Sequence, residues 1–538
     1  MAGGIITRME PCTLYTLRRR WQEFAAGKPY PAPPPYSGPD RPLTRFVEDS
    51  RLVEPGDWFV ARVRPYSDGH PYIAQAIERG AGLVLGQYSA ESLSLRLPPE
   101  VIYWQVPDTA ETLAWLAAAQ YDFPGQHLTT IGVTGTDGKT STVNMLYHIL
   151  TAAGYKTGMI STIKAVIGDY AEPLGLHVTT PQAPEVQAYL RRMVSDGVTH
   201  CVLEATSMGL AEQRVGAVFF QVGVVTNITH EHLDYHGDYA RYLAAKARLL
   251  EMATRAAVLN RDDASYPALA GIPTPRRLTY AIDQAADVWA SDIIFGPDST
   301  RFTWRAGGGA GAPVALPIRT PLLGKFNVYN MLAAATAALS LGIDPAAVQK
   351  GLEAVQIISG RMERIDGGQP FLVVVDFAHT PNALVKAIEA ARGMTSGRVI
   401  TVFGSAGRRD VAKRRMMAEV SAESADLTVL TAEDPRNEPL DDILAFMAEG
   451  CRGRGGVEGR TFWRAPDRGR AIYHALTLAQ PGDLVLICGK GHEQSMCFGR
   501  IEYPWDDRSA ARAALAAFLP GAPMVDLGLP TFSAETPV

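Results

Sequence analysis

Hydrophobic and polar positions along the chain sort into short apolar runs separated by stretches of helical spacing. From Thr129 the two alternate. Apolar runs at Thr129–Val133, Thr199–Ala205, Ala217–Thr226 and Ala256–Asn260 predict strands; Met145–Ala153, Glu185–Asp196 and Tyr239–Ala253 predict helices. The alternation returns after Arg361. Strands are expected at Phe371–Asp376, Arg398–Phe403, Leu427–Thr431 and Leu484–Cys488, with helices at Pro381–Arg392, Lys413–Glu423 and Leu440–Glu449. Such alternation predicts parallel sheets with helices on both faces. Between the two units lie a Gly-rich, β-like segment, Val288–Pro317, and helices at Asn327–Leu341 and Asp344–Ala354. Ahead of them a smaller unit is expected, with strands Asp57–Val63 and Gly82–Gly86 around a helical stretch, Tyr72–Arg79, ending near Asp108. The helix Glu111–Tyr121 leads out of it.

At 538 residues the chain is far past the size at which one hydrophobic core stops growing. Residues 1–42 read as a Pro-rich N-terminal extension. A short basic helix over Leu14–Phe24 precedes seven prolines between Pro29 and Pro42, expected to form an extended polyproline II spacer. Three domains follow, over residues 43–110, 111–358 and 359–520, with a loose tail at 521–538. The expected fold class is α/β: a small N-terminal α/β domain, a central parallel sheet of P-loop type with a Gly-rich turn after Thr134, and a C-terminal Rossmann-like doubly wound sheet.

Composition narrows the function classes. A balance of 47% hydrophobic and 20% charged residues excludes a disordered or fibrous chain. A net charge of -5 gives no general affinity for nucleic acid. Five scattered cysteines without a CxxC pair indicate neither a disulfide framework nor zinc. The first residues lack a basic-then-apolar leader, and the most apolar stretches, such as Met331–Ile343, are too short to span a bilayer. A cytoplasmic monomer without membrane insertion is expected.

The strongest chemical signal is Thr129-Thr-Ile-Gly-Val-Thr-Gly-Thr-Asp-Gly-Lys-Thr140, a strand running through a Gly-rich turn into a helix. Val133 stands where the full Walker pattern has its first Gly, leaving a shortened loop. Gly135, Thr136, Asp137 and Gly138 would wrap backbone N–H groups around phosphate oxygens, with Ser141 in the helix's first turn. Lys139 would bridge the β- and γ-phosphates of ATP, and Thr140 would hold Mg²⁺. Glu204 ends the strand-like run Cys201–Ser207, where a carboxylate can ligate Mg²⁺. Three His within Thr226–Gly237 suggest zinc at first sight, but no HExxH spacing supports it.

These segments resemble the Mur ligase family, its MurE type most closely, over Asp49–Arg508. GTDGKTS resembles the family's GTNGKTT; Thr179–Pro181 its substrate-binding Thr-Thr-Pro; EATSMGLAEQRV its EVSSHGLxxxRV; and TNITHEHLDYHG its TNLTxDHLDYHG. GKFNVYN, DFAHTPNAL, FGSAGRRDVAKR and EDPRNE resemble G-R-F-N-x-x-N, DYAHTPDAL, FGCGGxRDxxKR and the DNPR motif, and GKGHE matches outright. DSR at Asp49–Arg51 and DGH at Asp68–His70 resemble the family's first domain.

The resemblance implies an ATP-dependent amide-bond ligase of peptidoglycan precursor synthesis. It would add a diamino acid (diaminopimelate, lysine or ornithine) to UDP-N-acetylmuramoyl-L-alanyl-D-glutamate through an acyl phosphate. Residues 43–110 would bind the UDP-sugar, through Asp49, Ser50 and Arg51. Lys139, Glu204, His232 and Lys246 match catalytic positions. Thr140, Glu204, His232 and a carbamylated Lys246 match the ligands of Mg²⁺. Asn327, Asn330, Arg361, Asp376 and His379 match residues around ATP. Thr179, Thr180, Thr206 and Arg214 match those for the muramyl dipeptide. Arg409, Glu433, Asp434, Arg436, Gly489 and Glu493 match those for the incoming amino acid, with Glu493 expected to receive its distal ammonium.

The chain also departs from the family. Asp137 replaces an Asn, Met208 a His, and Glu433 and Asp434 the Asp and Asn of DNPR. The carboxylate of Asp434 only accepts hydrogen bonds, and Asp434 and Glu433 favour a purely cationic end, whereas Arg436 favours a distal carboxylate. Two other readings stand beside this one. A folylpolyglutamate-type ligase is disfavoured by HLDYHG, DPR and GKGHE. A nucleotide-binding homologue without catalysis is left open by Asp137, Met208 and Asp434.

Overall fold

The computed structural model describes residues 12–175, 178–229, 231–296, 298–307, 313–408 and 410–532. Its backbone forms three α/β units in series. The first is a parallel four-stranded sheet, Phe46–Val47, Trp58–Val60, Leu83–Gly86 and Ile102–Gln105, side by side in chain order.

The Pro-rich extension is not a free spacer. Thr13 caps the helix Leu14–Ala25, whose Leu14, Leu17, Trp21 and Ala25 are buried on one face. They pack with Trp58, Trp104 and Trp115 of the first unit. Three indole N–H groups then hold the proline stretch: Trp21 donates to Pro31 O at 2.6 Å, Trp104 to Pro35 O at 3.1 Å and Trp58 to Pro42 O at 3.0 Å. Proline has no N–H of its own, so its carbonyl is the one backbone group it can offer, and each indole needs a partner once buried. Phe24 stacks on Phe123 at 4.0 Å and lies 5.0 Å from Phe219, carrying this strap onto the second unit.

The second unit is an eleven-stranded sheet. Its parallel centre orders Thr157–Ile160, His200–Glu204, Thr129–Thr134, Phe220–Val225, Ala256–Asn260 and Arg277–Ala281. The chain leaves Thr129–Thr134 to one side and later returns to the other. That strand's C-terminal end is therefore the switch point at which open α/β sheets bind ligands. The Gly-rich segment Val288–Pro317 becomes three strands, Val288–Phe295, Thr300–Ala306 and Val314–Thr320, two pairings of which are antiparallel, extending one edge. The first helix of this unit starts at Lys139, six residues before the predicted Met145, because its polar first turn, Lys-Thr-Ser-Thr, has no apolar period to read.

The third unit orders Glu363–Arg364, Leu372–Asp376, Leu484–Cys488, Val399–Phe403, Leu427–Leu430 and Phe462–Arg464, all parallel except the first pair. Helices Arg468–Leu478 and Asp507–Phe518, absent from the sequence expectation, pack on one face with a core that includes Leu529. Tyr473 Oη donates to Ala522 O at 2.8 Å and Thr531 Oγ1 to Asp467 Oδ2 at 3.0 Å, so the tail is packed as far as it is described. No described helix is long and apolar enough to cross a membrane.

Candidate active site

The phosphate loop sits at the switch point and turns tightly. Gly135 has φ 147° and Gly138 φ 83°. A Cβ at Gly135 would lie 1.8 Å from Thr226 Oγ1, and one at Gly138 2.2 Å from Asn330 Oδ1, so neither position admits a side chain. The strand end after Phe220–Val225 braces the loop. Thr226 Oγ1 and Asn227 Nδ2 donate to Asp137 O at 2.6 and 3.0 Å, and Asn227 Oδ1 accepts from Asp137 N at 3.0 Å. Lys139 Nζ donates to the loop carbonyls of Gly135 and Thr136 at 3.0 and 2.8 Å, an ammonium held where phosphate oxygens would lie.

Glu204 is buried beside this loop. Its carboxylate oxygens lie 3.0 and 3.1 Å from Thr140 Oγ1, and Oε2 accepts from Thr162 N at 3.0 Å and Thr162 Oγ1 at 2.9 Å. Arg361 Nη2 reaches Thr140 Oγ1 at 3.2 Å from the third unit. Thr140 and Glu204 thus bring a hydroxyl and a carboxylate together at the start of the helix that follows the loop, a pair of oxygen donors that suits Mg²⁺, which takes one or two carboxylates plus phosphate oxygens. His232 adopts φ 53°, outside the usual range for a side-chain-bearing residue. Burial holds its imidazole down to about 4, leaving it neutral and able to ligate.

Lys246 is buried behind the loop, where its Nζ donates to Gly135 O at 2.6 Å. Burial first, and the Lys139 charge second, push its amine well below the usual lysine range. Lys246, Gly135 and Asn327 support the site from behind and do not line its cavity. Asn327 Nδ2 donates to Leu323 O at 2.8 Å, and its Oδ1 accepts from Asn330 Nδ2 at 3.3 Å.

Two cavities adjoin here. One, about 810 Å³, is lined by Thr136–Ser141, Glu204, Thr206, Arg214, Asn330, Arg361 and Asp376. The other, about 530 Å³, is lined by Lys413, Glu433, Asp434, Arg436, Gly489 and Glu493. Thr162, Thr179, Glu231, His232, Phe377 and His379 line both. Around the dipeptide positions, Thr180 Oγ1 donates to Glu204 O at 2.9 Å and accepts from Thr206 N at 3.0 Å, and Arg214 Nη1 donates to Thr180 O at 3.0 Å. Asp376 accepts from Met362 N and Ala378 N at 2.8 Å, and its carboxyl is raised by burial.

In the second cavity the structure changes one expectation. Asp434 Oδ1 already accepts from Lys490 Nζ and Cys497 N, both at 2.9 Å, and Lys490 also pairs with Glu493. One buried lysine thus offsets two of the three carboxylates that the sequence offered to a cationic substrate, Asp434 and Glu493. Glu433 is the exception: it is 9% exposed, and its Oε2 has no hydrogen-bond partner. Burial raises its carboxyl above the usual range.

Asp49, Ser50 and Arg51 lie in the first unit and line neither cavity. Asp49 caps a short turn and pairs with Arg51 at 2.6 Å, while Ser50 Oγ donates to Gln75 Oε1 at 2.6 Å. Arg409 lies outside the described residues. Sequence reasoning missed Glu231, whose Oε1 is 3.2 Å from His379 Nε2, and Asn382, which reaches Asp137. Both sit inside quoted motifs, but only the folded chain puts the motifs in contact. It also missed Thr162, which no motif carries.

Residues 133–338 match the Mur ligase middle domain, and residues 360–491 match the domain described as Mur ligase, glutamate ligase domain. A UDP-N-acetylmuramyl-tripeptide synthetase of Roseiflexus sp. (strain RS-1) is 42% identical over 490 residues, 88% of this chain and 94% of that one. A UDP-N-acetylmuramoyl-L-alanyl-D-glutamate--2,6-diaminopimelate ligase of Gloeobacter violaceus is 40% identical, covering 89% and 95%. A solved structure of a ligase with that same printed name aligns with TM-score 0.59 and 30% identity over 88% of this chain and 95% of that one. With two family domains matched over most of its length and relatives of about 40% identity across it, the chain belongs to the Mur ligase family.

Proposed function

We propose that the protein is an ATP-dependent ligase that joins a diamino acid to UDP-N-acetylmuramoyl-L-alanyl-D-glutamate, with the nucleotide in the larger cavity and the amino acid in the smaller. The observation that carries this reading is the shared wall. Two substrates held on either side of His232, Glu231 and His379 would meet there and nowhere else. The named relatives support the same chemistry.

A carboxylate is a poor electrophile, so its terminal oxygen must first take the γ-phosphoryl group of ATP; the amine then attacks the acyl carbon and phosphate leaves. Lys139 and Arg361 would bind the phosphates and offset their charge, and the loop N–H groups would orient them. Mg²⁺, when bound, supplies further charge neutralisation, and Thr140, Glu204 and His232 would hold it. Burial lowers the Lys246 amine and so favours the neutral form that reaction with carbon dioxide to a carbamate requires. Thr179, Thr180, Thr206 and Arg214 would hold the dipeptide.

For the amino acid, Arg436 on the cavity wall suits a distal carboxylate and Glu433 a distal ammonium, so diaminopimelate and lysine or ornithine both fit. The test is ATP-dependent phosphate release that needs both the UDP-muramyl dipeptide and an amino acid, with the product weighed by mass spectrometry. Lys139→Ala should lower the rate about a hundredfold or more. Release that persists without the dipeptide would point instead to another ligase of this fold.

A further inference from the structure

The amino-acid side of the smaller cavity is built from three separate stretches: Glu433–Arg436, Gly489–Ser495, and Arg508 at the start of the helix Asp507–Phe518. Arg468 lies behind all of them, outside the cavity and 0% exposed. Its Nη1 donates to Ala432 O at 3.0 Å and its Nη2 to Cys488 O at 2.7 Å. Its Nε and Nη2 meet the two carboxylate oxygens of Asp507, both at 2.7 Å. Ala432 and Cys488 immediately precede Glu433 and Gly489, and Asp507 immediately precedes Arg508. Trp505 Nε1 adds a hydrogen bond to Asp507 Oδ1 at 2.8 Å.

A buried ion pair is a poor source of stability, because desolvation offsets most of the attraction. What this pair supplies is geometry. One rigid, planar fork ties two strand ends and one helix start together at the residues that enter the pocket. We infer that the Arg468–Asp507 pair is the positioning element of the amino-acid subsite, setting the separation of Glu433, Gly489 and Arg508 without touching substrate. The inference rests on the proposed function for its reading of that cavity.

The experiment is steady-state phosphate release, varying one substrate at a time, for Arg468→Lys, Asp507→Asn and Trp505→Phe. Lysine keeps the charge but cannot meet two carbonyls and a bidentate carboxylate at once. In the first two variants KM for the amino acid should rise about tenfold or more, while KM for ATP and for the muramyl dipeptide stay within about twofold. Trp505→Phe keeps the ion pair and loses one donor, so it should shift the same KM a few-fold and decides the matter if the other two do not fold. A lowered melting temperature with an unchanged amino-acid KM overturns the inference, as does a parallel rise in all three KM values. Wild-type protein that releases no phosphate with any amino acid overturns the functional reading, and this inference with it.

Discussion

Asn382 Nδ2 donates to Asp137 Oδ2 across 3.0 Å, joining the first long helix of the third unit to the phosphate loop. In the family-like motifs the two residue types stand the other way round, Asn in GTNGKT and Asp in HTPDAL. In this chain the carboxylate stands at the first position and the amide at the second, and the two side chains face each other. The Asp137 carboxylate that replaces the family's Asn is therefore engaged by a residue of the third unit.

A charge-swap cycle tests this contact. Asn382→Asp sets two carboxylates face to face and should lower kcat/KM for ATP about tenfold or more. Adding Asp137→Asn should restore most of the loss, giving a coupling of roughly 1 kcal/mol or more. Additive effects in the double variant would show that the two side chains do not act together.

Glu204 collects three donors beside the phosphate-binding helix, and its charge is what a cation would see. Glu204→Gln should raise the Mg²⁺ concentration needed for half-maximal phosphate release about tenfold or more, with the fold intact by circular dichroism. An unchanged Mg²⁺ dependence would remove Glu204 from the ligand set.

Glu433 predicts a pH dependence. Burial raises its carboxyl in the free protein. A bound ammonium favours the charged form and lowers it again. Between those two values, binding of lysine or ornithine releases a proton, so affinity should rise with pH and level off above the raised free-state value. In Glu433→Gln that slope should vanish and affinity should fall. Titration calorimetry in buffers of different ionisation enthalpy reads the proton directly, and zero release in the wild type would contradict the assignment.

The strap predicts a stability effect. Trp21 is 1% exposed and donates to Pro31. Trp21→Ala should cost about 3–5 kcal/mol and expose the proline stretch to protease. A melting temperature unchanged within error would mean that the segment is a passive appendage after all.

How far the sequence could be read follows from where its information is local. The phosphate loop was legible because strand, glycine turn and helix are consecutive, and Glu204 because it ends a strand. Thr140 and Glu204 lie within hydrogen-bonding distance, while the Lys139 ammonium turns back onto the loop carbonyls. The docking of residues 12–42 was not legible: prolines advertise an extended chain, but nothing local says that the indoles of Trp21, Trp58 and Trp104 will donate to their carbonyls. Glu231 with His379, and Asp434 with Lys490, are side-chain pairs formed only when separate units or loops come together. The helix turn missed at Lys139–Thr142 is polar where Lys139, Thr140 and Ser141 line the larger cavity, and its Thr142 is fully buried.

The shared wall between the two cavities bears on how such an enzyme can change over time. Thr162, Thr179, Glu231, His232, Phe377 and His379 face both chambers, so on the proposed reading a substitution at any of them would alter nucleotide and amino-acid handling together. Glu433, Asp434, Arg436 and Glu493 face only the smaller chamber. Drift in amino-acid preference is therefore free to accumulate on that far wall alone, which is where the chain exchanges the Asp and Asn of DNPR for Glu433 and Asp434.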